Sequence, residues 1–177
     1  MKILKNIFRK ALLVGIVILS FNQNANAQDV DYKAYSLFIY NFIKYIEWPA
    51  DNSTQFVIGV AGDSPIVKEL NALAATKKAH GKTIVIKIIN VAADAAKCDL
   101  LYVPDGKSKF IKEYLLAINK KSVLVVSERE GMAKKGAGIN FILDDNENLK
   151  FEVSKATLTK QNLKIPTVLL NLGYVVD

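Results

Sequence analysis

The run Val123-Leu124-Val125-Val126 constrains this chain more than any other feature. Four apolar residues follow one another with no polar residue between them. A strand with one wet face alternates apolar and polar side chains, so an unbroken run describes a strand covered on both faces. Such a strand needs partners beside it and elements above and below it, and the flanking sequence supplies both.

Phe56-Val57-Ile58-Gly59-Val60-Ala61 reads as another strand, and Thr83 to Val91 as a third, rich in β-branched residues. Asp99 to Val103 makes a fourth. Between them lie helical stretches. One runs from about Asp31 to Glu47, with Ala34, Leu37, Phe38, Phe42, Tyr45 and Ile46 on one face and Ile39 and Ile43 widening it; Pro49 helps to stop it. Gly62-Asp63-Ser64-Pro65 is a turn with Ser64 as N-cap and Pro65 at the first helical position of a helix reaching about Thr76. His80-Gly81 is a loop. Ala92 to Lys97 is a short alanine-rich turn of helix, and Pro104-Asp105-Gly106 leads into a helix from about Ser108 to Asn119.

Alternating strands and helices argue for an α/β fold: a mainly parallel sheet with helices on both faces, in three layers. The end of the chain departs from the alternation. Gly138 to Leu143 and Leu149 to Val153 flank Asp144-Asp145-Asn146-Glu147-Asn148 and read as a C-terminal β-hairpin. Two helices follow, from about Ser154 to Asn162 and from Pro166 to Tyr174.

Residues 1–27 have the grammar of a cleaved secretory signal. Lys2, Lys5, Arg9 and Lys10 form a basic start without an acid, Ala11 to Phe21 is mostly apolar, and Ala25-Asn26-Ala27 ends the stretch as a small-x-small site. The apolar run is roughly half of the ~20 residues a membrane span requires. The expected product is a soluble, periplasmic domain of residues 28–177. The whole chain has 24 basic and 17 acidic side chains; removing the signal's four basic ones leaves 20 minus 17, a net charge of +3. That ordinary balance, with scattered lysine pairs, gives no basis for nucleic-acid binding.

The remaining chemistry is sparse. A single histidine, His80, makes a zinc site of the usual kind improbable and would have to serve as the base of any catalytic triad. No Ser-x-x-Lys occurs. Gly131-Met-Ala-Lys-Lys-Gly136 has the spacing of a phosphate loop, yet Ala137 stands where the phosphate-binding lysine belongs. The acidic run from Asp144 lacks the glycine and distal glutamate of a calcium loop and reads as a polar hairpin turn. The expectation is a non-enzyme with neither metal nor cofactor.

Two groups of residues are candidates for binding. Gly62, Asp63 and Ser64 follow one strand and open a helix; Ser127, Glu128 and Arg129 follow another, and Arg129 could clamp a carboxylate. Ligands of open α/β sheets sit outside such strand ends. Tyr40, Tyr45, Trp48 and Pro49 are candidate interaction residues, because exposed Trp and Tyr anchor interfaces. Cys98, the only cysteine, heads an apolar strand; it reads as a small buried hydrophobe, with a redox-sensing thiol as the alternative.

Five segments in order resemble the YfiR family of periplasmic proteins. They are Tyr40-Asn41-Phe42-Ile43-Lys44-Tyr45-Ile46-Glu47-Trp48-Pro49; Phe56 through Pro65; Cys98-Asp99-Leu100-Leu101-Tyr102-Val103; Val123 through Ser127, continuing past Gly131-Met132-Ala133 and Gly136 to Gly138-Ile139-Asn140-Phe141; and Lys150-Phe151-Glu152-Val153 with Leu169-Leu170 in the closing helices. The resemblance implies a non-enzymatic regulator that binds the exported part of an inner-membrane signalling protein, a diguanylate cyclase or a sensor kinase, and restrains it. It further implies sequestration by an outer-membrane lipoprotein, and control of cyclic-di-GMP and biofilm. The family's disulfide chemistry has no counterpart here, since Cys98 has no partner in the mature chain. Homodimerisation stays open, and so does the alternative of a module binding a small carboxylate or amine ligand.

Overall fold

The computed structural model describes residues 30–176; the proposed signal segment lies outside them. Helix α1 (Tyr32–Tyr45) is followed by strand β1 (Gln55–Ala61), helix α2 (Ile66–Ala74) and strands β2 (Lys78–Ala79) and β3 (Lys82–Ile89). Strand β4 (Leu100–Val103), helix α3 (Ile111–Ile118) and strand β5 (Leu124–Ser127) come next. Strands β6 (Ile139–Leu143) and β7 (Leu149–Val153), helices α4 (Lys155–Lys160) and α5 (Thr167–Leu172), and strand β8 (Tyr174–Val175) complete the series. The eight strands among the described residues join one sheet in the order β2-β3-β1-β4-β5-β6-β7-β8. The five from β3 to β6 in that order are mutually parallel. β2 runs antiparallel to β3, and β7 antiparallel to β6.

Apolar side chains along the parallel strands divide by parity, because successive residues of a strand point to opposite faces. Phe56, Ile58 and Val60 of β1, Leu100 and Tyr102 of β4 and Leu124 and Val126 of β5 pack in one cluster with Ile39, Phe42 and Ile43 of α1 and Ile66 and Leu70 of α2. Ala61, Leu101, Val103 and Val125 enter the other, with Ile111, Tyr114 and Ile118 of α3. The unbroken apolar run of β5 is therefore divided between two cores, and all its residues are buried. Gly59 is buried where β1 passes closest to Cys98: a Cβ there would lie 2.6 Å from the thiol sulfur.

Several local readings shift. Pro65 caps α2, which begins at Ile66, so Ser64 stands one place further out than expected; its Oγ lies 3.5 Å from the Ile66 N–H. The stretch expected as one helix from Ser108 begins as a 3-10 helix, Asp105–Phe110, and becomes α-helical only at Ile111. His80-Gly81 is the two-residue tip of a β2–β3 hairpin, both residues at positive φ, the conformation whose twist matches that of the flanking strands. The closing helix stops at Leu172 rather than Tyr174, and Tyr174-Val175 pairs with β7 instead. Gly173 permits the change of direction by lying flat against Phe151, where any Cβ would come within 2.4 Å of the ring.

Candidate functional site

The turns predicted to bind a ligand lie at the carboxyl ends of β1 and β5, and their side chains are largely engaged inside the protein. Ser127 is fully buried and donates to Asn140 Oδ1 at 2.7 Å; Asn140 Nδ2 donates to Glu152 Oε2 at 3.0 Å. These three stand in register across β5, β6 and β7 and form one polar row. Glu128 accepts a short hydrogen bond from the buried Tyr102 hydroxyl and a 2.7 Å bond from the Asp105 N–H. Burial pushes the Glu128 carboxyl above the usual range, and these two donors oppose the shift only in part. Burial, with the Glu128 charge added, raises the Tyr102 phenol far above its ordinary value and the neighbouring Tyr35 phenol to about 12. Arg129 pairs with Asp105 at 3.7 Å and donates to Ser108 Oγ at 3.3 Å. Thus Glu128 and Arg129 together fasten the 3-10 helix that follows β4. Gly62, at positive φ, lies under the Lys107 side chain, its N–H donating to the Ile89 carbonyl; Asp63 is exposed and Ser64 half-buried.

The other candidate group assembles a cleft at the opposite ends of the strands. Its volume is about 330 Å3, and Glu47, Trp48, Pro49, Asp51, Phe56, His80, Lys82 and Asp99 are among its walls. α1 delivers Trp48 here because its buried face runs down to Ile46, and a backbone bridge between Glu47 and Lys164 holds the exit. The Trp48 indole meets the Phe56 ring edge-on at 5.1 Å, with His80 at 6.0 Å. Its Nε1–H donates to the Asp99 carbonyl oxygen at 3.1 Å. Asp99 in turn accepts the Val57 N–H on Oδ2 at 2.6 Å and donates its own N–H to the Val57 carbonyl at 2.9 Å. Burial raises the Asp99 carboxyl above the ordinary range, opposed by the Val57 N–H and by Lys82. Lys82 forms a short ion pair with Asp51, which holds that carboxyl below the usual range.

Of the four interaction candidates, only Trp48 and Pro49 meet in this cleft. Tyr40 packs against the first core cluster beneath Lys77, and Tyr45 projects from the end of α1 beside Lys44. Sequence reasoning missed Asp51, Lys82 and Asp99, and set His80 aside as a surface loop residue. Nothing local marks them, since Asp51 and Lys82 are 31 positions apart and Trp48 and Asp99 are 51 apart. The Trp48-Pro49 pair itself was the available signal. Cys98 is buried, and burial foremost pushes its thiol up to about 11. The Asp144 carboxylate accepts the Asn146 and Asn148 N–H groups, the work of a hairpin turn. Among the described residues no helix is long and apolar enough to cross a membrane.

Two solved structures share the fold. A conserved domain protein from Vibrio cholerae O1 biovar El Tor str. N16961 superposes with a TM-score of 0.57 at 15% identity, over 83% of this chain and 60% of that one. The ABC domain in complex with L-Trp from Streptococcus pneumonia gives a TM-score of 0.52 at 15% identity, over 68% of this chain and 55% of that one. This chain thus spans less than two thirds of the length of either, and the likeness is one of fold alone. No curated protein matches the sequence. The class is an α/β domain built on a mostly parallel sheet. The YfiR/HmsC-like family model matches residues 32–174, and the chain belongs to that family. That family is one of periplasmic regulatory proteins.

Proposed function

We propose that this chain is a periplasmic, non-enzymatic regulator that binds the exported domain of an inner-membrane diguanylate cyclase or sensor kinase and restrains it. The observation that carries the reading is the family match across residues 32–174. In this reading residues 1–27 are removed on export, and residues 28–177 act as a single three-layer domain. An outer-membrane lipoprotein relieves the restraint by sequestering the regulator, so that cyclic-di-GMP and biofilm follow its occupancy. Cys98 is not the switch: a buried thiol with a raised pKa is almost wholly protonated at neutral pH and reacts slowly.

Cross-linking in membranes, with residues 28–177 as bait, tests this. Recovery of one inner-membrane signalling protein under both reducing and oxidising conditions supports it.

A second reading, a small-molecule binding module, is favoured by the Trp48 cleft, whose volume of about 330 Å3 stands at the lower end of ligand-site sizes. The two readings are compatible if the ligand tunes partner binding. A thermal-shift screen with amines and carboxylates tests the second, since a ligand that binds only the folded state stabilises it.

A further inference from the structure

We propose that the Trp48 cleft binds an organic cation: a small free molecule carrying an ammonium or guanidinium group on a short apolar body. The inference deepens the small-molecule reading and does not depend on any membrane partner.

Charge selects the sign of the ligand. Glu47, Asp51 and Asp99 line the cleft against a single lysine, Lys82, which is already paired with Asp51. Glu47 meets Lys164 only at 3.9 Å between largely exposed side chains, a contact that solvent and salt weaken. Asp99 is the unfilled acceptor. It is half-buried, its Oδ2 takes the Val57 N–H, and among the described residues no donor reaches its Oδ1. A carboxylate drawn partly out of water with an open oxygen favours a charged N–H donor over water alone. A ligand carboxylate brought here would meet three of its own sign.

The walls select the body. Trp48 and Phe56 meet edge to face and Pro49 lies beside them, so an apolar stem has surface to cover, and an indole attracts a cation to its face more strongly than the other aromatic rings do. The volume, at the lower end of ligand-site sizes, limits the guest to a small molecule. Coordination of a metal ion does not fit the donor set, because among the described residues no three His, Cys, Asp or Glu side chains converge as ligands.

Trp48 is the sole tryptophan of the chain, so indole fluorescence reports on the cleft alone. Purified residues 28–177 are titrated with phenethylamine and agmatine, and with 3-phenylpropionate as an anion of matched body. The expected result is a saturable change with both amines and affinity at least about tenfold weaker for the anion. Asp99→Asn, which keeps an acceptor for the Val57 N–H, should weaken amine binding by about tenfold. Asp51→Asn, which releases Lys82 into the cleft, should weaken it too, and circular dichroism shows that each variant is folded. The proposal is overturned by an absent or unsaturable response to the amines, by an anion that binds as well, or by folded variants that both bind as the parent does. An amine response only when the cation is offered as a lysine or arginine side chain in a peptide also overturns it, because it makes the cleft a protein contact. None of these outcomes alters the cross-linking result, so the two readings fail separately.

Discussion

The indole N–H of Trp48 donates to the carbonyl oxygen of Asp99 at 3.1 Å, joining the end of α1 to the start of β4 across 51 residues. Asp99 is itself tied to Val57 through both its side chain and its N–H, and its carbonyl also accepts from the Leu124 N–H. One residue therefore fixes where the helix, β1, β4 and β5 meet, and the cleft is the space left beside that junction.

Replacing Trp48 separates its two contributions. Trp48→Phe keeps an aromatic ring near Phe56 but loses the hydrogen bond, with an expected cost of about 1 kcal/mol in urea unfolding. Trp48→Ala also loses the packing, and should cost about 2 kcal/mol, below the range for a fully buried aromatic because one side faces the cleft. Equal stability of both variants and the parent would contradict the junction.

Glu128 gives the molecule a pH dependence of defined sign. Its folded pKa lies above the unfolded value because burial outweighs its two hydrogen bonds. The folded state thus holds more protons than the unfolded state in that window, and stability falls as pH rises from the ordinary glutamate value through the raised one. Asp99, also raised by burial, acts in the same sense. Glu128→Gln should flatten this part of the stability profile. A profile with unchanged slope rules out Glu128 as its source.

Tyr102→Phe removes the hydroxyl that donates to Glu128 inside the first core cluster. A carboxylate left without one donor in a partly buried place should cost about 1–3 kcal/mol. Arg129→Ala, by contrast, breaks only an exposed 3.7 Å pair with Asp105 and a long bond to Ser108, and should cost less than about 1 kcal/mol. Thermal melts of the two variants decide whether the buried donor or the exposed cation holds the corner after β4.

Much of this architecture was legible because it rests on runs long enough to carry a period. The apolar stretches of β1, β4 and β5 announced themselves in this way; α1 was legible as a helix, but its buried face was misplaced, since Leu37 and Tyr45 are exposed while Tyr35, Ile39 and Ile43 face the core. β2 and β8 were not legible: two residues cannot show an alternation, and each depends on a neighbour to become a strand at all. At Tyr174 the helical reading failed because the contact of Gly173 with Phe151 is tertiary. Of the site, Trp48-Pro49 stood out as a motif. Asp51, Lys82 and Asp99 did not, since isolated charged residues become a site only when hairpin and sheet bring them to one place.

Cys98 should label slowly. With its thiol raised from 9.0 to about 11, the thiolate fraction at mildly alkaline pH is about a hundredfold lower than in the unfolded chain. Iodoacetamide should accordingly modify native protein at least that much more slowly than protein in urea. Comparable rates would restore the thiol as a candidate redox sensor.

The central claim, regulation by contact with a membrane signalling protein, is tested most directly by cross-linking residues 28–177 to membranes at native expression, under reducing and oxidising conditions. The account predicts one inner-membrane cyclase or sensor kinase recovered equally in both. Recovery of no membrane protein, or recovery only after oxidation, would contradict it.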